Sequence, residues 1–405
     1  MNFIDLFAGC GGLSEGFIKA GYEPVAHVEM SPDASNTLKT RIAYHYLSQK
    51  QKVNHYFDYL KLEISREELW KFIPQQLLSS VINKEITNKT IHDIFIEIDE
   101  LNNRKKIDLI IGGPPCQAYS IVGRSRDAKR MKWDKRNFLF RFYAEFIEKY
   151  KPTYFIFENV LGLLTAGNRK YFDEMLNTFS ELGYSVDWKI LNAEDYGVLQ
   201  KRRRVIIIGR KGKSKFTFPV IEEINNDWQI KKDLFYDLPF LNPGQELYVC
   251  KYTKSVNEYL KNTGIRNGFG YITQHITRNH NERDLEIYAI AINKWLKDKK
   301  RLNYSDLPKR LQTHSNKESF LDRYKVIDAL GYSHTIVAHI AKDGHYYIFP
   351  DYEQVRSISV REAARIQSFS DDYFFEGGRT AAFRQIGNAV PPLMAKHIAL
   401  AIKYL

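Results

Sequence analysis

The sequence predicts an α/β protein: a doubly wound, mostly parallel sheet with a second, smaller domain attached. Three observations carry this. Short apolar runs alternate with helical stretches through the first 215 residues, the rhythm of strands joined by crossover helices. After Phe216 the rhythm dissolves into short strand-like pieces, aromatic residues and basic clusters. From Ser359 it returns. The expected organisation is one domain over 1–215, completed by 370–405, and a second over 216–369 that includes a connecting helix.

Taken in order, Asn2–Leu6 reads as the first strand, running into AGCGG, and Leu13–Ala20 as a helix. Pro24–Val28 is a second strand closed by Glu29, and Asn36–Leu47 a second helix. A third strand is expected near His55–Tyr59, before a polar, helix-prone insertion over Ser65–Lys105. The run IDLII (107–111) enters GGPPC, Phe138–Lys149 is an amphipathic helix, and TYFIFENV (153–160) a buried strand. Tyr171–Leu182 is helical, SVDWKIL (185–191) strand-like, and RVIIIG (204–209) closes the series. Ser359 and Glu362 fit a capping box at the head of SVREAARIQSF. The segment AVPPLMAKHIALAIKYL is an apolar helix expected to pack back on the sheet.

Composition narrows the class. No apolar run reaches the length needed to span a bilayer, and MNFIDLFAGCGG lacks the basic n-region of a signal peptide. Three scattered cysteines suit neither a disulfide framework nor a metal cluster, so a reducing, intracellular setting is expected and no metal is assigned. The formal charge of +12 suits a polyanion, because Lys and Arg displace condensed counterions from nucleic acid.

FAGCGGLSEG follows a strand and opens a helix, where backbone N–H groups meet a ligand. The dinucleotide fingerprint needs a glycine six positions into the motif; counting from Gly9, that position is Ser14. NAD is therefore disfavoured. Glu29 ends the second strand, 20 residues beyond Gly9, the usual place for a carboxylate on ribose hydroxyls. A nucleoside cofactor without pyrophosphate follows, and S-adenosylmethionine is the natural candidate.

Ligands of a parallel sheet gather at the carboxyl ends of its strands. Gly9, Glu29, Cys116 and Glu158 all fall just past strand ends, so one edge should hold them together. Cys116 sits in GGPPCQAYS (112–120) with no histidine in its own motif. Its use as a nucleophile then depends on positioning and on a substrate that is protonated or hydrogen-bonded. Glu158, in FENV, could protonate a ring nitrogen. In QKRRR (200–204), Arg202 and Arg204 alternate with Arg203 and are expected on one strand face, as a clamp for a phosphate or base. Gly112 and Gly113 would let the chain leave the strand without a side chain blocking the cofactor.

These motifs in this order resemble those of the DNA cytosine-5 methyltransferases of the bacterial restriction–modification type. DLFAGCGGLS (5–14), GGPPCQAYS (112–120), ENV (158–160), QKRRR (200–204), REAARIQSF (361–369) and QIGNAVPP (385–392) carry the resemblance and bracket nearly the whole chain. It implies a Rossmann-like, S-adenosylmethionine-dependent methyltransferase sheet with a target-recognition domain, and S-adenosylhomocysteine as product. Cys116 would attack C6 of a cytosine flipped from the duplex, with Glu158 donating to N3 and Arg202 and Arg204 steadying the nucleotide. For the cofactor it implies Phe7, Gly9, Cys10, Gly12 and Leu13 in the glycine loop, Glu29 on the ribose and Met30 on the adenine. Pro114, Asn388 and Val390 would close that site. Asp58 is the expected adenine acid, with Asp93 the rival.

Residues 121–137 carry seven basic side chains against two acidic ones and are expected to close over the DNA backbone. Ser120, Arg124, Arg126 and Gln200 are the expected DNA contacts, and Arg266 in RNGFGY and Arg278 in TRNHNER the expected base readers. Double-stranded DNA is the implied partner. A cognate restriction endonuclease would act on the same site without stable complex. A monomer in the cytoplasm, associated with the nucleoid through DNA and not with membrane, completes the expectation. A similar enzyme acts on transfer RNA, and the long 216–355 segment argues instead for duplex DNA.

Overall fold

The computed structural model describes residues 1–103, 105–115, 139–224, 227–314, 316 and 318–405. Strands β1 (Asn2–Leu6), β2 (Glu23–Val28), β3 (Val81–Ile82), β4 (Leu109–Gly112), β5 (Tyr154–Asn159), β6 (Tyr184–Asn192), β7 (Gln200–Lys201) and β8 (Arg203–Lys211) supply the main sheet and its margin. The seven-stranded order is β3-β2-β1-β4-β5-β8-β6. Its first five strands are parallel, while β8 runs antiparallel to both β5 and β6. Strand order reverses direction at the β1/β4 boundary, which opens a crevice at the carboxyl edge.

Alternation of side chains along these strands builds two cores. Ile4, Ile110, Phe155, Val205 and Ile207 face one side, against α6 (Ile91–Leu101), α7 (Leu139–Tyr150) and α8 (Lys170–Glu181). Phe3, Ile111, Ile156, Ile206 and Ile208 face the other. There Phe17 of α1 (Gly12–Lys19) and Met394 and Ile398 of the helix over Pro392–Lys403 cover them. The last segment does return to the sheet, and closely. A Cβ on Gly16 would stand 2.4 Å from that of Ala395, so α1 and the returning helix meet almost backbone to backbone.

One expected strand is a helix. After α2 (Pro32–Gln49), the residues Asn54–Leu60 form α3. Tyr56, Tyr59 and Leu60 are its buried positions, the i, i+3, i+4 spacing of a helix face, which outweighs the strand preference of aromatic residues. Two short helices follow, α4 (Arg66–Lys71) and α5 (Gln75–Ser79). The third strand is Val81–Ile82, inside the segment expected to be an insertion.

Beyond β8, β9 (Glu246–Lys251) and β10 (Tyr271–Ile276) pair antiparallel around α9 (Glu258–Asn262), and α10 (Glu282–Asp298) follows. The short β11 (Ser333–His334) pairs with β7. Then come α11 (Val360–Ile366), α12 (Arg379–Asn388) and α13 (Pro392–Lys403). The Ser359–Glu362 capping box is present at the head of α11. That helix is buried all round, and its arginines cross-link its surroundings. Arg361 donates to the main-chain oxygens of Thr273, Ser370 and Tyr373. Arg365 reaches Asp237 and Asp371, both at 2.6 Å. One apolar cluster joins Cys10 and Leu199 to Ile230, Ile336, Ala363 and Phe383, so the later segments share a core with the glycine loop.

Candidate active site

The carboxyl edge assembles the site from the glycine loop outward. Phe7 leaves β1 at φ +57 and Gly9 lies at φ +56, so the chain turns sharply; a left-handed Phe is a strained choice. The turn brings the N–H of Gly9 to Glu29 Oε2 at 2.8 Å, while the N–H of Ser31 donates to Oε1 at 2.8 Å. Glu29 is thereby fixed by backbone donors from two elements, and each oxygen keeps a further lone pair for a ligand. Burial pushes its carboxyl above the ordinary range. Among the described residues, apart from its chain neighbours, nothing lies within 4 Å of where a Cβ of Gly9 would stand. Beside this opening Met30 exposes 58% of its surface.

The remaining loop residues have more structural duties than the sequence suggests. The Cys10 thiol is buried, reaches the Gln385 carbonyl at 3.5 Å and is pushed upward in pKa by burial. Leu13 is buried in the sheet core. Gly12 is required by a close approach: a Cβ there would lie 2.3 Å from the carbonyl oxygen of Val390. The two residues thus meet each other at the margin of the site. Asn388 is exposed at the end of α12.

Asp58 is corrected. It lies on α3, pairs with Lys61 at 3.1 Å and follows no strand. Asp93 sits exposed in the first turn of α6. The residue at the end of the third strand is Asn83, whose side-chain amide donates to the Glu29 carbonyl at 2.9 Å. A two-residue strand inside a polar stretch hides this position from a periodicity reading.

On the other side of β1 stands the acid. Glu158 Oε1 meets Arg204 Nε at 2.8 Å, with the side chains 12% and 10% exposed. Arg204 arrives because β8 runs antiparallel to β5: its beginning lies beside the end of β5, where Asn159 faces Val205. The Glu158 carboxylate needs the glycines of β4 in a way that differs from the expectation. A Cβ on Gly113 would lie 2.5 Å from Glu158 Oε2, and one on Gly112 2.5 Å from the Leu6 carbonyl. The bare backbone makes room for the acid and the neighbouring strand. Pro114 is held alongside, its carbonyl accepting from Asn159 Nδ2 at 3.3 Å.

Gly113→Ala is expected to turn the carboxylate and lower kcat by about 100-fold with the fold intact, since a misplacement of about 1 Å carries that cost. Steady-state kinetics with circular dichroism checks this; an unchanged kcat would refute the role of the gap.

Several of the expected contact residues are engaged by other parts of the chain. Arg202 is 1% exposed, and its guanidinium donates to the carbonyls of Ile336, Gly387 and Ala389 rather than pointing into open space. Gln200 is 0% exposed and bonded to Ile336, Ile366 and Gln367. Arg278 donates to the carbonyls of Ile340 and Lys342. Arg266 pairs with Asp237 at 3.0 Å and stacks on Tyr252, its centre 3.6 Å from the ring centroid. Within RNGFGY, Phe269 is buried and stacks on Phe57 at 4.8 Å, while Asn267, Gly268 and Gly270 are exposed. Cys116, Ser120, Arg124 and Arg126 lie outside the described residues. Among the described residues no group of His, Cys, Asp or Glu could hold a metal ion, and no helix is long and apolar enough to cross a membrane.

A doubly wound sheet with this glycine loop, ribose-type acid and Glu–Arg pair defines a Rossmann-like methyltransferase. The chain belongs to the C-5 cytosine-specific DNA methylases, whose family model matches residues 1–65 and 62–404. It is a DNA (cytosine-5-)-methyltransferase. The type II methyltransferase M.Bpa9945I of Bacillus paralicheniformis is 41% identical over 439 residues, covering 100% of this chain and 98% of that protein. M.DdeI of Desulfomicrobium norvegicum, also a type II methyltransferase, is 31% identical and covers 100% and 89%. A solved structure described as a prophage-encoded DNA modification methyltransferase from E. coli matches with a TM-score of 0.66 at 23% identity, covering 100% of this chain and 99% of that one. At that identity the likeness is one of fold.

Proposed function

We propose that this enzyme methylates C5 of a cytosine flipped out of a specific double-stranded DNA sequence, with S-adenosylmethionine as donor, and protects host DNA in a type II restriction–modification system. The observation that carries the reading is the pairing of two sites along one sheet edge. The Gly9–Glu29 cradle lies at β1 and β2, and the Glu158–Arg204 pair at β5 and β8.

The cofactor fits the first site. Glu29 offers carboxylate lone pairs to ribose hydroxyls, Met30 an exposed apolar face to the adenine, and Gly9 an open space. Phe7, Gly12, Pro114, Asn388 and Val390 frame it, and Asn83 takes the adenine-facing place expected of Asp58. S-adenosylmethionine supplies an electrophilic methyl group and leaves as S-adenosylhomocysteine.

In the second site Glu158 holds a proton at cytosine N3, and Arg204 fixes the direction of the carboxylate. Cys116, three residues past Gly113, adds its sulfur to C6 and turns C5 into a nucleophile. Loss of the C5 proton then releases the thiol. Flipping is required because the reacting atoms are inaccessible in the stack. Residues 216–369 form the recognition part. Ser120, Arg124 and Arg126 approach the duplex. The enzyme works as a cytoplasmic monomer on nucleoid DNA, and a cognate endonuclease acts on the same site without stable complex.

Methyl transfer from labelled S-adenosylmethionine is expected on duplex DNA and not on transfer RNA. Duplexes carrying 5-fluorocytosine are expected to trap a covalent complex that requires both the cofactor and Cys116. Activity confined to transfer RNA, or equal trapping by Cys116→Ala, would overturn the reading.

A further inference from the structure

A buried polar junction ties the margin of the sheet to the 216–369 segment. The N–H of Ile336 donates to Gln200 Oε1 at 2.9 Å, and the Ile336 carbonyl accepts from Arg202 at 2.6 Å. Both faces of one residue in the 216–369 segment are therefore gripped from the margin of the sheet. Arg202 also donates to the carbonyls of Gly387 and Ala389, at 3.4 and 2.7 Å. Gln200 continues to Gln367 Oε1 at 2.8 Å, and Gln367 Nε2 to the Ile386 carbonyl at 2.6 Å. All three side chains are at most 1% exposed.

The neighbours tighten the junction. Thr335 Oγ1 donates to the Lys201 carbonyl at 2.6 Å, next to the β11/β7 pairing. A Cβ on Gly387 would lie 2.4 Å from the Ala338 nitrogen, so α12 and the 335–338 segment touch through bare backbone. Val337, at the centre of that segment, is 41% exposed. Arg202 meets main-chain carbonyls rather than a carboxylate among the described residues. Such a cation holds backbone positions, and it holds three at once.

Two connections leave this point. Along β8, Arg204 is two residues away and holds Glu158. Along the chain after α12, Ala389 precedes Val390, whose carbonyl abuts Gly12 of the glycine loop. A shift of Ile336 therefore acts on a guanidinium that lies a short chain step from each site.

We infer that Gln200, Arg202 and Gln367 couple DNA binding by the 216–369 segment, which they grip at Ile336, to the cofactor loop and to the Glu158–Arg204 pair, with Arg202 as the positioning residue. The inference rests on the ligands proposed above. It distinguishes Arg202 from a simple strut, which would stabilise the fold without linking the affinities of two ligands.

The test measures S-adenosylhomocysteine binding by titration calorimetry, with and without a duplex containing the site that the wild type methylates. The wild type is expected to bind it at least about 10-fold tighter with the duplex, within the usual range of coupling. In Arg202→Lys, whose ammonium can serve only part of the carbonyl set, the gain is expected to fall below about 3-fold, with each ligand alone bound within about 3-fold of wild type. Thr335→Val, which removes one bond at the edge of the junction, should lose part of the gain and serves if the lysine variant does not fold. Full coupling in a folded variant, or none in a wild type that binds both ligands, overturns the inference alone. A wild type that binds neither ligand overturns the proposed function, and the inference with it.

Discussion

Replacing Glu158 by glutamine is expected to lower kcat by about 1,000-fold, within the range of a lost general acid. The amide keeps the size of the side chain and fits the gap left by Gly113, so the change isolates chemistry from packing. What disappears is the proton at N3 and the charge that Arg204 meets at 2.8 Å. The cofactor cradle lies across β1 and is held by the backbone of Gly9 and Ser31. Cofactor affinity in the absence of DNA should stay within about twofold, as for sites without shared partners. Single-turnover kinetics with labelled methyl donor reads the chemical step directly. A loss of less than about tenfold would remove Glu158 from proton transfer.

Arg365→Met should have the largest effect on stability, a loss of about 3–5 kcal/mol, as for one partner removed from a buried ion pair. Arg365 is 0% exposed and joins three pieces of chain. It donates to the Leu234 carbonyl at the end of a π-helical turn, to Asp237, and through Nε and Nη2 to Asp371. The two carboxylates hold the guanidinium strongly protonated. Methionine fills a similar volume but leaves both acids buried beside weaker partners, Arg266 for Asp237 and Tyr252 for Asp371. Urea unfolding followed by tryptophan fluorescence measures the loss. A change under about 1 kcal/mol would mean the remaining partners suffice.

Legibility in the sequence followed the range of the physical signal. Strands β1, β4, β5 and β8 were readable because buried strands leave apolar runs bounded by glycine or acid, and β2 and β6 by their place in the alternation with helices. Glu29, Glu158 and Gly9 were placed correctly at one edge because strand ends share that edge by topology. The antiparallel insertion of β8 was not readable. It depends on pairing between distant segments, and it is what delivers Arg204 to Glu158.

The arginines show the same limit. Arg202, Arg266 and Arg278 looked like ligand-binding groups, because nothing local separates an arginine aimed at a phosphate from one aimed at a buried carbonyl. Only the folded partner decides. Helix α3 is a different failure: its aromatic composition suggested a strand, while its spacing already carried the helix period.

The abutment of Gly12 against Val390 has a consequence in time. These residues are 378 positions apart, so the glycine loop leaves the ribosome long before the backbone that completes its wall. At about 5–20 residues per second, roughly 20–80 s separate the two. During that interval the loop has neither the Val390 carbonyl nor the α13 backbone beside Gly16. A growing chain therefore carries half a cofactor site and no working one. Methylation capacity begins only once Val390 and α13 have been made.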